Sequence, residues 1–342
     1  MLVINAGPND GHRPPFEIDG GVMVPPSEVP ERVPAILRGL QGMAGVRVEE
    51  VELVEPTEMT VLHAPEYVDF LRETCAELRA ARRSDGEAAL FPSVFPYGPG
   101  LRARGRKAQI GEYCFDTYTP LMAGTFDAAL RMASAALRAA DCVAAGGETV
   151  VYAVGRPPGH HAERARFGGY SYLNGTALAA HRLSARGPVA VLDVDVHHGN
   201  GTQHLFYDRA DVRTASIHGD PAGLFPYFSG FADETGTGPG LGANRNFPLP
   251  PGTDDRVYQP ALESALEWLA HDRPAFLVVA IGFDAHAGDP IGGFALSTGY
   301  FRHIGAMLRQ FGLPTVVVQE GGYGLDVVGE CAAAFASGMR SC

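Results

Sequence analysis

The residues best suited to chemistry stand where an apolar run gives way to acids and histidines. The run 188–192 is typical of a buried parallel strand, and Asp193, Asp195, His197 and Asn200 follow it closely. Alternate side chains of a strand share one face, so Asp193, Asp195 and His197 are predicted to point in one direction. Two carboxylates and an imidazole at a strand end are donor groups that a divalent metal ion binds.

Two other predicted strands end in similar side chains. The apolar run 276–281 is followed by Asp284, and the predicted strand 149–154 is followed by His160 and His161. The carboxyl ends of parallel strands meet at one edge of an open α/β sheet, which is where such sheets bind ligands. The three segments therefore predict one site at that edge.

Asp195, His197 and Asp284 are predicted to bind a single metal ion through two oxygens and one nitrogen. Zn²⁺ accepts this set, and three protein ligands leave a position for water and substrate. Fe²⁺ and Co²⁺ suit the same donors. A dinuclear manganese site would need further acids where the sequence has Gly199 and His286, so a second metal ion would lack ligands.

His160 and His161 are predicted to be a catalytic pair, because a histidine beside a metal-bound water can act as general base and then as general acid. Asp193 and Asn200 are the available partners behind the two rings. A carboxylate behind one ring and an amide behind the other would separate the two histidine pKa values and so divide their roles.

Tyr323 is predicted to stabilise an oxyanion. It lies in the segment Glu320-Gly321-Gly322-Tyr323-Gly324, whose glycines allow the loop to bring the hydroxyl close to a metal-bound carbonyl. A tyrosine in such a turn is often only structural, but the neighbouring motifs favour the catalytic interpretation.

Composition and charge restrict the function classes. The 342 residues are 46% hydrophobic and 19% charged, which fits a large folded domain. A net charge of -12, with one short basic cluster at 102–107, argues against a nucleic-acid partner. The five cysteines form no C-x-x-C pair, and no apolar run reaches membrane-spanning length, so we expect a cytoplasmic protein without membrane contact.

The alternation of strand and helix patterns predicts an α/β fold. We expect a single domain, 1–342, built on an open parallel sheet with helices on both faces. Further strands are predicted at 2–5, 46–54, 212–217 and 315–319, and helices at 28–42, 65–83, 124–145, 173–185, 255–270, 298–311 and 327–339.

The segment 84–107 interrupts this pattern with three prolines and several apolar residues. It is either a plain surface loop or an insertion that packs on a second subunit near the site entrance.

Five ordered motifs together resemble the histone deacetylase superfamily, which has the arginase-type α/β fold. The motifs are R-P-P-G-H-H at 156–161, G-G-Y-S-Y-L-N at 168–174, L-D-V-D-V-H-H-G-N-G-T-Q at 192–203, G-F-D-A-H-A-G-D-P-I-G-G at 282–293 and E-G-G-Y-G at 320–324. Members that lose catalysis are expected to lose the tyrosine or a histidine, and this chain keeps them. The resemblance therefore disfavours a non-catalytic binding protein.

The resemblance implies a role for each site residue. It implies zinc bound by Asp195, His197 and Asp284, the pair His160 and His161, and Tyr323 on the oxyanion. It implies a substrate tunnel whose residues are Gly169, Tyr170, Phe225 and Ile291. It also implies a structural K⁺ bound by main-chain oxygens of Asp193, Asp195, His197 and Ile217 and by the side chains of Asp193 and Ser216.

Within this superfamily the chain resembles most the bacterial acetylpolyamine amidohydrolase group. The shared features are Gly20-Gly21-x-x-Val24-Pro25-Pro26, His218-Gly219-Asp220-Pro221 and the insertion 84–107. The resemblance implies a homodimer joined through the insertion and slim cationic substrates such as acetylputrescine, acetylcadaverine and acetylspermidine. The alternative is a bacterial protein lysine deacetylase, which would need a more open mouth.

The resemblance also implies acidic residues at the mouth, in the stretch that follows the insertion. Tyr118 stands near the position where the main acid is expected. Glu17, Glu112 and Asp116 are the candidate acids for binding the cationic end of a substrate.

Overall fold

Eight parallel strands form the centre of the computed structural model, which describes residues 1–81, 89–96 and 103–340. β2 (Glu17–Asp19) and β3 (Val22–Val24) form a separate antiparallel hairpin. The order across the main sheet is β4 (Arg47–Glu50), β1 (Leu2–Asn5), β5 (Val150–Val154), β10 (Thr315–Gln319), β9 (Phe276–Ile281), β6 (Val189–Asp193), β7 (Val212–Gly219) and β8 (Asn244–Leu249).

Helices cover both faces of the sheet because the strands are apolar on both sides. In β10, Val316 and Val318 pack into one core and Val317 into the other. The first core contains residues of α2 (Pro65–Ala80), α4 (Thr125–Ala144) and α5 (Gly175–Ser184), and the second contains residues of α1 (Arg32–Gln41), α7 (Asp255–Ala270), α8 (Thr298–Phe311) and α9 (Val328–Met339). The predicted open parallel sheet with helices on both faces is confirmed.

The helices with the clearest capping residues were predicted most accurately. The bounds of α7 and α8 match the predictions, since the side chains of Asp254 and Ser297 accept hydrogen bonds from main-chain N–H groups of their first turns. The predicted helix 28–42 begins only at Arg32. A helical conformation is disfavoured at its start, because Val29 precedes Pro30 and a residue before proline prefers an extended backbone.

Short elements account for most of the differences. The predicted strand 46–54 is limited to β4, since its partner β1 offers only four residues for pairing. Four elements were not predicted from the sequence: β8, the β2–β3 hairpin, α3 (Arg106–Tyr113) and α6 (Asn200–Phe206). The predicted insertion 84–107 is described only at 89–96 and from 103 onwards, and its last two residues belong to α3.

The sheet brings four strand ends together. β5, β10, β9 and β6 are adjacent and parallel, so the loops that follow them leave the same edge side by side. These loops carry the histidine pair, the tyrosine and the predicted metal ligands.

A buried ion cluster fixes two of these loops to the start of α1. Glu28 Oε1 accepts hydrogen bonds from Arg32 Nη1 at 2.9 Å and from Arg156 Nε at 2.7 Å, and all three side chains are about 1% exposed or less. Arg156 precedes the histidine loop. Arg32 donates through Nε to the carbonyl of Gly322 and through Nη2 to that of Glu320, each at 2.6 Å. One carboxylate thus connects the loop after β5 with the loop after β10.

We expect Glu28→Ala to lower the free energy of unfolding by about 3–5 kcal/mol, because it leaves two buried guanidinium groups without their anion. Glu31→Ala is the matched control. Glu31 lies three residues after Glu28 and pairs with Arg13, and both side chains of this pair are 50% exposed. Removal of the Glu31 carboxylate should therefore lower the free energy of unfolding by less than about 1 kcal/mol. Urea denaturation at pH 7 compares the two variants, and equal losses would contradict the structural role of the cluster.

The stability lost in Glu28→Ala should also depend on pH. Burial alone would raise the pKa of Glu28, but Arg156 and Arg32 lower it to about 2. The contribution of Glu28 is therefore complete above its ordinary pKa of 4.5 and is lost as the pH falls towards 2. The difference in stability between wild type and Glu28→Ala should narrow over that interval.

Candidate active site

The predicted metal ligands converge at the carboxyl edge of the sheet. Asp195, His197 and Asp284 are buried, and one ligand atom of each lies within 4.8 Å of the others. The expected strand alternation does not position them, because β6 ends at Asp193. Instead the N–H of Asp195 donates to Asp193 Oδ1 at 3.0 Å and the N–H of His197 donates to Asp195 Oδ1 at 2.9 Å. Asp193 itself points to His160, not into the metal-ligand cluster.

The carboxylates of this cluster are held by backbone groups and fit a cation. Asp195 Oδ2 accepts from the N–H of Gly321 at 2.8 Å, and Asp284 Oδ1 accepts from the N–H of Val196 at 3.0 Å. Asp284 Oδ2 is buried without a hydrogen bond among the described residues. Burial, followed by the charge of Asp195, raises the pKa of Asp284 to about 7. Two carboxylates this close in a dry site require a positive charge between them.

Gly321 is required for this packing. A Cβ at this position would lie 2.0 Å from Asp284 Oδ2 and 2.6 Å from Asp195 Oδ2. The loop after β10 therefore approaches the two carboxylates closely only because it has no side chain there.

The two histidines have different partners. His160 Nδ1 donates to Asp193 Oδ2 at 2.9 Å, and His161 Nδ1 donates to Asn200 Oδ1 at 2.8 Å. The two rings are 4.0 Å apart. Both rings are buried, but only His161 lines the cavity described below.

These partners move the histidine pKa values in opposite directions. Burial would lower the pKa of His160, but the charges of Asp193 and Asp195 raise it to about 10. Burial lowers the pKa of His161 well below its ordinary value, and the positive charge of His160 lowers it further. At neutral pH His160 is therefore an imidazolium and His161 a neutral imidazole with a free Nε2 lone pair.

Glu163 fixes the orientation of the Asn200 amide, a contact that was not predicted from the sequence. Asn200 Nδ2 donates to Glu163 Oε1 at 2.9 Å, which turns Oδ1 towards His161. His204 Nδ1 also lies 2.8 Å from Glu163 Oε1. Both residues lie close to predicted motifs, but neither their types nor their spacing signals this contact.

Tyr323 is buried at 7% exposure beneath the Arg32 guanidinium, whose Cζ lies 4.6 Å from the ring centroid. Asp289 Oδ2 accepts hydrogen bonds from the N–H groups of Tyr323 and Gly324 at 2.6 and 3.1 Å and so anchors the loop. Burial raises the pKa of Tyr323 well above its ordinary value. The phenol therefore keeps its proton and can donate it in a hydrogen bond.

A cavity of about 340 Å³ leads to this cluster. The four residues predicted to bind substrate all line it, together with His161, His197 and Tyr323. Among the described residues, the lining is Glu17, Asp19, Val24, Ser27, Tyr118, His161, Gly169, Tyr170, His197, Leu224, Phe225, Tyr227, Pro290, Ile291 and Tyr323.

The width of the cavity at Gly169 is set by backbone. Gly169 has φ of +54°, and a Cβ there would lie 2.2 Å from His161 Cδ2 and 2.8 Å from Phe225 Cε1. Tyr170 follows with φ of +64°, an unusual conformation for a residue with a side chain. Its hydroxyl donates to Glu17 Oε2 at 2.8 Å, which holds the ring in the wall.

Of the three candidate mouth acids, only Glu17 lines the cavity. Asp116 is buried and accepts hydrogen bonds from main-chain N–H groups of Tyr118 and Thr119, so it stabilises a turn. Glu112 accepts from the N–H of Ala103. The structure therefore does not place Asp116 or Glu112 in the lining of this cavity. Asp19 lines the cavity and was not predicted.

The residues expected at a potassium site lie on adjacent strands. Asp193 of β6 pairs in register with Ser216 of β7, and Ile217 follows. Ser216 Oγ lies 2.7 Å from His218 Nδ1, while His218 Nε2 donates to the carbonyl of Gly230 at 2.9 Å. The hydroxyl therefore donates to His218, and its oxygen keeps a lone pair.

In the described part of the chain, no helix combines the length and apolar character needed to cross a membrane.

This fold and site define a class of protein. The sequence matches the Histone deacetylase domain family over residues 26–339, so the chain belongs to that family. Members are metal-dependent hydrolases that remove acyl groups, and this chain is a deacetylase of that kind.

Individual relatives are similar over nearly the whole chain. An acetylpolyamine amidohydrolase of Mycoplana ramosa is 40% identical over 321 residues, which cover 92% of this chain and 92% of the relative. Acetylpolyamine amidohydrolase 1 of Pseudomonas aeruginosa is 38% identical over 94% of both chains. The crystal structure of an acetylpolyamine aminohydrolase from Burkholderia pseudomallei has a TM-score of 0.92 at 37% identity and covers 99% of this chain and 98% of its own.

Replacing the amide behind His161 by a carboxylate should change the pH dependence of activity. We expect Asn200→Asp to raise the pKa of His161 through a nearby negative charge. On the acid side of the pH profile, kcat/KM falls because the general base becomes protonated. This fall should move to higher pH by about 1–2 units in Asn200→Asp.

Asn200→Ala is the control, since it removes the hydrogen bond without adding charge. The profiles are measured on metal-loaded protein. An acid limb that moves equally in both variants, or in neither, would contradict the proposed effect of charge on His161.

Proposed function

We propose that this protein is a zinc-dependent amidohydrolase that removes acetyl groups from acetylated polyamines. One observation carries the proposal. A cluster of metal ligands and a charge-separated histidine pair lie at a cavity lined by two acids and, among the described residues, by no lysine or arginine. The cavity therefore suits a slim amide with a cationic end. The names of the similar proteins support the same substrate class.

Asp195, His197 and Asp284 would hold the metal ion. Their two oxygens and one nitrogen fit Zn²⁺. Asp284 Oδ2, which accepts no hydrogen bond among the described residues and lies 3.3 Å from His197 Nδ1, supports a cation there. When bound, the ion polarises the amide carbonyl and lowers the pKa of a water molecule.

The histidine pair would divide the proton transfers. Neutral His161 accepts the proton of the attacking water at Nε2, because its Nδ1 is already a donor to Asn200. It then delivers that proton to the nitrogen of the departing amine. His160, hydrogen-bonded to Asp193, keeps its positive charge and stabilises the negative charge that develops on the amide oxygen.

Tyr323 would donate a hydrogen bond to the same oxygen, since burial keeps its hydroxyl protonated. Gly169, Tyr170, Phe225 and Ile291 would enclose the alkyl chain of the substrate and exclude water from it. Asp193 and Ser216 would bind a structural K⁺ with main-chain oxygens of the neighbouring residues.

The assembly we propose is a homodimer formed through the insertion 84–107. In its described part, Val94 and Phe95 are 54% and 44% exposed, and exposed apolar neighbours on a long loop favour a partner. Sedimentation velocity measures the oligomeric state directly.

Four free cysteines in the described residues support a reducing, cytoplasmic location, and the net charge of -12 supports the absence of a nucleic-acid partner.

The function is tested by comparing substrates on zinc-loaded protein. We expect kcat/KM for acetylputrescine, acetylcadaverine and acetylspermidine to exceed that for an acetyl-lysine peptide by about 10²-fold or more, roughly 2.7 kcal/mol of transition-state discrimination. A preference for the peptide would instead identify a protein lysine deacetylase.

The ligand assignment is tested by metal content. Asp284→Ala should lose the metal ion and with it all hydrolysis, because it removes one of three ligands from a buried site. Elemental analysis measures the metal, and a full complement of zinc in this variant would refute the assignment. Treatment of the wild type with a chelator should abolish activity, and added Zn²⁺ should restore it.

A further inference from the structure

The cavity wall contains a carboxylate that neither the reaction nor the fold requires. Asp19 is the last residue of β2 and lines the cavity, and its side chain is exposed to solvent. Tyr118 OH donates to Asp19 Oδ1 at 3.0 Å. Within the described part of the chain, no group donates a hydrogen bond to Asp19 Oδ2. One oxygen of this carboxylate is thus held in place and the other is available.

The second acid of the cavity differs from Asp19. Both oxygens of Glu17 are engaged, because Oε2 accepts from Tyr170 OH at 2.8 Å and Oε1 accepts from the N–H of Ser27 at 2.7 Å. Glu17 is 4% exposed, and its burial raises its pKa. Glu17 therefore serves the wall of the cavity, and Asp19 is the acid with free binding capacity.

The residue opposite Asp19 supports the same conclusion. Tyr118 lines the cavity with its ring packed edge-on against Phe225 at 6.1 Å between centroids, so the hydroxyl reaches Asp19 from a fixed ring. A neutral hydroxyl that donates to a carboxylate orients it without neutralising its charge. Without such a partner the exposed Asp19 side chain would be free to change rotamer, and ordering it would oppose ligand binding.

We propose that Asp19 binds the free ammonium group of the substrate, with Tyr118 as the residue that positions its carboxylate. This specificity role rests on the proposed function and locates the negative charge on the β2–β3 hairpin. The metal cluster would bind the acetamide at one end of the cavity. Asp19 would bind the cation at the other, and the apolar wall would contact the alkyl chain between them.

The test compares a cationic substrate with a neutral one of the same length. N-acetylputrescine and N-pentylacetamide have equal chains, and the ammonium of the first is a methyl group in the second. The selectivity, defined as the ratio of their kcat/KM values, should fall by about fivefold in Asp19→Asn, mainly through KM for the cation. In Tyr118→Phe it should fall by about threefold, because the carboxylate stays but loses its orientation.

Two controls separate this role from a general effect of charge. Glu52 is an exposed acid outside the cavity, so Glu52→Gln should keep the selectivity of the wild type. Added salt should lower kcat/KM for acetylputrescine in the wild type, and this dependence should be weaker in Asp19→Asn. Tyr118→Glu in the Asp19→Asn background should restore part of the selectivity, because it returns a carboxylate to the facing wall.

These measurements distinguish a failure of the Asp19 assignment from a failure of the proposed acetylpolyamine activity. If the wild type prefers acetylputrescine and Asp19→Asn keeps that preference, the assignment of Asp19 is overturned while the acetylpolyamine activity stands. If the wild type shows no preference for the cation, both are overturned.

Discussion

The active site depends on one buried carboxylate that lies outside it. Glu28 neutralises Arg156 and Arg32, which in turn hold the loop of the histidine pair and the loop of Tyr323. Two arginines are stable in the interior only because each guanidinium donor meets a carboxylate or a main-chain carbonyl. The distance between the proton-transfer residues and the oxyanion residue is therefore set by electrostatic requirements in the core. The start of α1 belongs to the site for this reason, although it contributes no catalytic group.

Electrostatic asymmetry also explains how two adjacent histidines differ. Their ring centroids are 4.0 Å apart and both side chains are buried, so the loss of solvent lowers the pKa of both rings. The carboxylate of Asp193 behind one and the amide of Asn200 behind the other decide which ring is charged. Once His160 is positive, it further disfavours a proton on His161. The division of roles thus arises from residues that touch neither the substrate nor the catalytic metal ion.

The sequence was most informative where chemistry and strand ends coincide. Asp195, His197, Asp284 and both histidines follow apolar runs, and parallel strands must bring such positions together. It was least informative where side chains act through tertiary contacts. Asp116 was predicted as a mouth acid, yet the spacing of Asp116 and Thr119 is also a turn signal, and the carboxylate binds backbone there. Asp19 lies in a three-residue strand and Glu163 in a loop, so no periodicity identified either residue.

The backbone at Gly169 has a consequence for redesign of this protein. No side chain borders the cavity at that point, and the surrounding rings of His161 and Phe225 leave no space for one. Substitution at 169 can only obstruct the passage, and truncation there is impossible because glycine is already the smallest residue. Engineering for branched amines must therefore act on other lining residues, such as the aromatic side chains of Tyr118 and Tyr227.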